Sequence, residues 1–199
     1  MILTFYRTLL SIIEIVNLNI LILQTIFSPL LKYFVNPSLG KNVKGEIVLI
    51  TGAGNGIGRE LARRFAESGS ILVLWDISSE LLSETVECLD YIDELKVHCF
   101  TVDVADEKCV EDASYQVRQK VGDPTIVINN AGIAPCEPFK KLTPELIRKI
   151  FSVNILAHMW IVKQFLPSME RQNKGHVVAI SSSAGIMGSP YFTAYGFVI

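Results

Sequence analysis

Two hydrophobic patterns divide the chain. From Thr8 to Leu31 the run TLLSIIEIVNLNILILQTIFSPLL is long enough, at ~1.5 Å per helical residue, to cross the ~30 Å hydrocarbon layer of a bilayer. Polar residues recur within and beside it at Arg7, Ser11, Glu14, Asn17, Gln24, Ser28 and Lys32, close to a helical period. That leaves a wide apolar arc and a narrow polar stripe. The pattern predicts a hydrophobic membrane helix within residues 1–35, spanning the bilayer or lying in one leaflet. A cleaved signal peptide is the alternative, but no small-x-small site follows the apolar core.

Beyond a linker at 36–44, short apolar runs alternate with helical periods. EIVLITG (Glu46 to Gly52), SILVLWD (Ser70 to Asp76), VHCFTVD (Val97 to Asp103), TIVINNAG (Thr125 to Gly132) and GHVVAISS (Gly175 to Ser182) read as five strands. Between them, Ile57 to Gly69 has helical spacing with Ile57, Leu61, Phe65 and Ala66 on one face. Ser78 and Asp106 stand where helix caps belong, the latter ahead of a helix running to Val121. Thr143-Pro144-Glu145 starts a long amphipathic segment that runs towards Met169. Buried strands joined by helices predict a doubly wound, Rossmann-like α/β parallel sheet of about five strands over residues 45–199.

Composition narrows the class. Half of the 199 residues are apolar, 19% are charged and mean hydropathy is +0.38, which excludes intrinsic disorder and leaves room for one domain of ordinary size. Residues 1–44 carry Arg7, Lys32, Lys41 and Lys44 against Glu14, a net +3 that leaves −5 on the rest. The body therefore has no basic nucleic-acid footprint. Three of those lysines follow the apolar segment and only Arg7 precedes it, which points to a body on the cytosolic side. Cys88, Cys99, Cys109 and Cys136 show no metal-ligand or disulfide spacing and are expected as buried or half-buried free thiols.

The first strand runs into TGAGNGIG, residues 51–58. Gly52, Gly56 and Gly58 let the backbone turn sharply and bring peptide N–H groups and a helix N-terminus against a pyrophosphate. The plain alternative is a strand-to-helix turn with no ligand. Asp76 closes the second strand 18 residues after Gly58, where a carboxylate can accept bonds from both adenosine-ribose hydroxyls and would repel a 2′-phosphate. A solvated strand-end carboxylate is its alternative. NAD is the expected cofactor, and nearby Arg59 keeps NADP open.

TGAGNGIG, the pair Asp103-Val104, NNAG at 129–132, Asn154 in SVN and ISSSAG followed by Tyr195 together resemble the short-chain dehydrogenase/reductase family. The match extends over Gly45 to Tyr195. The hydrophobic leader, KNVKGEIVLITGAG and LVLWDI resemble its membrane-anchored, retinoid- and steroid-active group. The resemblance implies that Gly52, Asn55, Gly56, Ile57 and Gly58 line the pyrophosphate, Asp76 the adenosine ribose and Asp103 with Val104 the adenine. It makes Asn130, Ala131 and Gly132 the floor beneath the nicotinamide ribose. It also assigns the substrate oxygen to Ser182, with Ser181 and Ser183 as rivals, a proton-relay water to Asn154 and general acid/base work to Tyr195. The implied activity is NAD(P)-dependent oxidoreduction of a lipophilic alcohol or ketone, at the endoplasmic reticulum membrane or a lipid-droplet surface.

One position departs from the family pattern. The lysine that follows the family's tyrosine by four residues is Ile199 here, the last residue, and a sixth strand is not readable. The expectation is a C-terminally truncated family domain with strand five as a bare edge beside the apolar tail GFVI. A silent membrane protein that binds dinucleotide or pairs with itself or a full-length relative is the second expectation, and an unstable remnant the third.

Overall fold

The computed structural model describes residues 10, 13–25, 27–28, 41–89 and 96–199. The chain divides into two compact units, 1–42 and 43–199. In the first, residues 13–25 are helical and exposed. Asn19 Nδ2 donates to the Ile15 carbonyl at 2.7 Å and Thr25 Oγ1 to the Leu21 carbonyl at 2.8 Å, so both polar side chains are satisfied within their own helix. Among the described residues, no helix is long and apolar enough to cross a membrane. The remainder of the expected anchor, at 1–9, 11–12, 26 and 29–35, and linker residues 36–40 lie outside the described residues.

In the second unit the hydrophobic runs become a parallel five-stranded sheet. Strands β1 (Ile47–Thr51), β2 (Ile71–Asp76), β3 (Val97–Thr101), β4 (Ile126–Asn129) and β5 (His176–Ala179) are arranged in the order β3-β2-β1-β4-β5. After β3 the chain crosses to the far side of β1, so the order reverses between β1 and β4, where a crevice opens at the carboxyl ends of an open α/β sheet. Pairing is in register, with Val48 beside Leu72 and Ile126, and Ile50 beside Leu74 and Ile128.

Alternating side chains send the sheet's apolar surface to both faces. Val48, Ile50, Leu72, Leu74, Ile126 and Ile128 pack on one side with α1 (Gly56–Glu67) and α2 (Ser79–Glu87). Leu49, Val73, Trp75 and Val127 pack on the other with α3 (Glu107–Lys120) and α5 (Ala157–Arg171), where Trp75 and Phe165 meet at 6.2 Å between ring centroids. Ser78, Asp106 and Thr143 cap α2, α3 and α4 (Pro144–Phe151) by accepting backbone N–H bonds in the first turn. The segment expected to run towards Met169 is helical and contains a π-helical turn at Ser152–Leu156.

The buried face of α1 overlaps its expected one and departs from it at Ile57. Gly58, Ala62 and Ala66 are buried, Leu61 and Phe65 lie partly buried beside the core, and Ile57 is 61% exposed. Small residues let the helix backbone approach β1, which larger side chains would hold away. The cysteines differ too: all four are free, but Cys88, Cys99 and Cys136 are exposed and only Cys109 is half-buried. Cys99 sits on edge strand β3, and the protein around its sulfur pushes the thiol up to about 11. Alkylation of Cys99 at pH 8 should be slow and should accelerate about tenfold per pH unit up to pH ~10. A flat rate over that interval, read by peptide mass spectrometry, would contradict this environment.

Candidate active site

Thr51, at the end of β1, joins the two loops that border the crevice. It is fully buried, and its Oγ1 accepts from the backbone N–H groups of Asn130 and Ala131, both at 3.0 Å. In return, Asn130 Nδ2 donates to the carbonyls of Thr51 at 2.9 Å and Gly52 at 3.2 Å. The glycine loop and the loop after β4 are thus one hydrogen-bonded piece. The amide nitrogen of Asn130 is thereby engaged by the first loop.

The glycines divide into two roles. Gly52 has φ +63°, and a Cβ there would lie 2.9 Å from Ala131 Cα. At Gly58 it would lie 2.0 Å from the Gly52 carbonyl oxygen and 2.7 Å from Asn130 Nδ2, so these two close the loop against itself. Gly56 has φ +52° with open space where a Cβ would stand. The first-turn N–H groups of α1 have no partners within the helix, and Asn55 Oδ1 accepts one of them, from Gly56, at 2.7 Å.

Asp76 buttresses this turn. Its Oδ2 accepts from Gly54 N–H at 2.8 Å and its Oδ1 from Ser78 N–H at 3.1 Å, which leaves further lone pairs on each oxygen. A cavity of about 210 Å³ runs from Asp76 past Asp103 and Val104 to Ala131 and Gly132, with Lys149 also on its wall. Arg59, the residue that kept a 2′-phosphate in view, is engaged elsewhere. Its guanidinium donates to the Gly54 carbonyl and Thr85 Oγ1 and pairs with Glu84 at 2.9 Å.

A second cavity, of about 260 Å³, brings together Asn154, Ser182 and Tyr195, with Ile57, His158 and Ile199 also on its wall. Asn154, in the π-helical turn, is buried, and its amide is clamped to the backbone of Ile133. Oδ1 accepts from Ile133 N–H and Nδ2 donates to Ile133 C=O, both at 2.9 Å. Ser182 accepts from Ala184 N–H at 3.1 Å, and Tyr195, on the short helix α6 (Thr193–Gly196), stacks edge-on against Phe192 at 5.9 Å. Ser181 also lines this cavity, and its hydroxyl donates to the Ile199 carbonyl at 2.6 Å. Ser183 does not line this cavity.

Thr51, Lys149 and His158 escaped the sequence reading. A threonine directly before the first glycine, and a histidine one helical turn after Asn154, were the signals for two of them. Burial pulls the His158 imidazole below its ordinary value of 6.5, against a smaller opposing effect from its hydrogen bond to the Ala131 backbone. The folded state therefore holds this proton less readily than the unfolded chain does. The stability that His158 contributes is complete above pH 6.5 and is lost as pH falls through that value towards the folded one. His158→Gln should flatten the fall in melting temperature between pH 7 and 5, whereas an unchanged slope would contradict this.

The reversed strand order, with a glycine turn flooring its crevice, defines a Rossmann-like α/β protein. Residues 46–197 match the model of the short chain dehydrogenase family, and the chain belongs to that family. It is 46% identical over 169 residues to human epidermal retinol dehydrogenase 2, covering 81% of this chain and 55% of the relative. To human 17-beta-hydroxysteroid dehydrogenase 13 it is 44% identical over 185 residues, covering 92% and 61%. The chain thus spans somewhat over half the length of these relatives. Among solved structures, a Burkholderia phymatum short chain dehydrogenase/reductase in complex with NAD superposes with a TM-score of 0.74. The two are 28% identical, with coverage of 79% of this chain and 56% of that one. An NAD+-bound xylitol dehydrogenase gives 0.73 at 27% identity, with coverage of 79% and 61%.

Proposed function

We propose that this chain binds NAD along the crevice and forms, with Tyr195, Ser182 and Asn154, an oxidoreductase site for lipophilic alcohols or ketones of retinoid or steroid type. The observation that carries the reading is that the two cavities share Ala131, Gly132 and Ile133 on their walls. A ligand lying from the two carboxylates to that shared floor ends beside the tyrosine and the serine. The residues fit a dinucleotide: the space beside Gly56 admits a pyrophosphate against helix N–H groups, and Asp76 retains lone pairs for ribose hydroxyls. Asp76 and Asp103 at one end, with Arg59 held by Glu84, favour NAD over NADP.

When bound, the cofactor exchanges a hydride with the substrate carbon. Tyr195 exchanges the proton of the substrate oxygen, Ser182 donates a hydrogen bond to that oxygen, and the clamped Asn154–Ile133 contact holds the floor still. The exposed apolar side chains between Ile13 and Phe27 support membrane attachment. We place the body on the cytosolic side of the endoplasmic reticulum or at a lipid droplet, with substrate drawn from the apolar phase.

A second reading is favoured by one residue. Ile199 stands where the family pattern puts lysine, which favours a chain that binds dinucleotide without turning it over and acts by pairing with itself or with a full-length relative. The experiment is a cofactor titration followed by thermal melting of the detergent-purified chain. A rise in melting temperature with NAD that disappears in Asp76→Ala supports binding. No cofactor response in the unaltered chain would sink both readings.

A further inference from the structure

We propose that His158 is the second proton-carrying residue of this cavity, exchanging with solvent the proton that Tyr195 takes from a substrate hydroxyl. This rests on the oxidoreductase reading above. Among the described residues on the cavity wall, Tyr195 and His158 are the two with acid–base side chains, and neither lysine, arginine nor a side-chain carboxylate is among them. The family pattern puts its cation at position 199, which here carries an isoleucine that lines the same cavity. The proton therefore needs another carrier.

The imidazole is suited to that task. It is half-buried on the first turn of α5, and its hydrogen bond to the Ala131 backbone places one ring nitrogen against the floor shared by both cavities. A neutral imidazole has one N–H donor and one acceptor nitrogen. Burial keeps the ring neutral at pH 7, and no charged side chain is among the causes of its shift.

In oxidation, the O–H bond of the alcohol breaks and its proton passes to the Tyr195 oxygen, while the hydroxyl proton of Tyr195 leaves by way of cavity water to the acceptor nitrogen of His158. The imidazolium then releases that proton to bulk water, which returns both side chains to their starting forms. The pair of electrons from the C–H bond leaves with the hydride to NAD, so charge and atoms balance. Reduction runs the same transfers backwards. His158 acts through Tyr195 and is a relay residue, whereas Tyr195 meets the reacting oxygen.

The test compares the unaltered full chain with His158→Gln, His158→Ala and Tyr195→Phe. NAD binding is read by thermal melting, turnover with a lipophilic secondary alcohol, and the His158 ring signal by carbon-edited NMR across a pH titration. The expected result is NAD binding within about twofold in the His158 variants, with turnover lower by about 10- to 100-fold. Added imidazole restores turnover in His158→Ala and fails to do so in Tyr195→Phe. Without any turnover assay, saturating NAD should shift the midpoint of the His158 titration.

Undiminished turnover in His158→Gln, absence of imidazole rescue, or an NMR midpoint indifferent to NAD would each overturn the relay. Binding of NAD with no turnover in the unaltered chain would overturn it too, while the cofactor reading stands. Absence of NAD binding would remove the cofactor reading itself.

Discussion

Gly58→Ala is expected to lower the melting temperature by about 10 °C or more and to abolish NAD binding. A methyl group there would lie 2.0 Å from the Gly52 carbonyl oxygen and 2.7 Å from Asn130 Nδ2. The first is backbone, held by the turn that Thr51 and Asn130 stitch together, and cannot swing aside as a flexible side chain would. Separating the two means lifting α1 off β1 and breaking core contacts of Ala62 and Ala66, a loss of about 4 kcal/mol or more. Gly56→Ala separates folding from binding. Its Cβ meets nothing within 4 Å, so the substitution carries only the left-handed backbone penalty of about 1–2 kcal/mol while filling the space assigned to the pyrophosphate. Gly188→Ala, in open space, should melt like the unaltered chain. A Gly58→Ala protein melting within about 2 °C of the original would mean that the helix start is looser than its packing indicates.

Ile199→Lys is expected to raise turnover by up to about a thousandfold. Ile199 already lies on the wall of the cavity that contains Tyr195, so a four-carbon stem with an ammonium at its tip replaces an apolar side chain at the same wall. A cation that stabilises the developing tyrosinate by about 4 kcal/mol accounts for a rate factor of that size. The Ile199→Met variant matches the stem without the charge and should leave turnover unchanged. Equal rates for lysine and methionine would show that the site does not use a cation at this position. The substitution is also diagnostic of the second reading, since a binding protein without a competent proton path stays silent with either residue.

Much of the fold was legible because buried parallel strands and their capped helices leave strong local traces. The five apolar runs, and the caps Ser78, Asp106 and Thr143, all stand where the sequence pattern placed them. Reading failed where geometry depends on a partner element. On α1, Leu61, Phe65 and Ala66 meet the core as expected, while Ile57 does not, because periodicity rewards large apolar residues and close approach to β1 rewards Gly58 and Ala62. The π-helical turn left no mark, since Ser152–Leu156 continues an amphipathic pattern and only hydrogen bonding from Ile133 to Asn154 reveals its effect. The crevice could be inferred from glycine spacing, but Thr51 as the tie between two loops could not. A buried hydroxyl accepting from backbone 79 and 80 residues away is a property of the assembled sheet.

The place of β1 between β2 and β4 also sets the order in which the protein can be made. Its first neighbour, Ile71–Asp76, follows closely, whereas its second, Ile126–Asn129, is translated only after two more helices and an edge strand. At roughly 5–20 residues per second, the interval between the end of β1 and the end of β4 is about 4–16 s. In the last part of that time, once β3 has been made, a nascent half-sheet of β1, β2 and β3 has Leu49, Val73 and Trp75 uncovered by α5, which emerges later still. A ribosome stalled shortly before residue 126 would therefore present a chaperone-binding intermediate, and one stalled well beyond residue 171 a largely closed core.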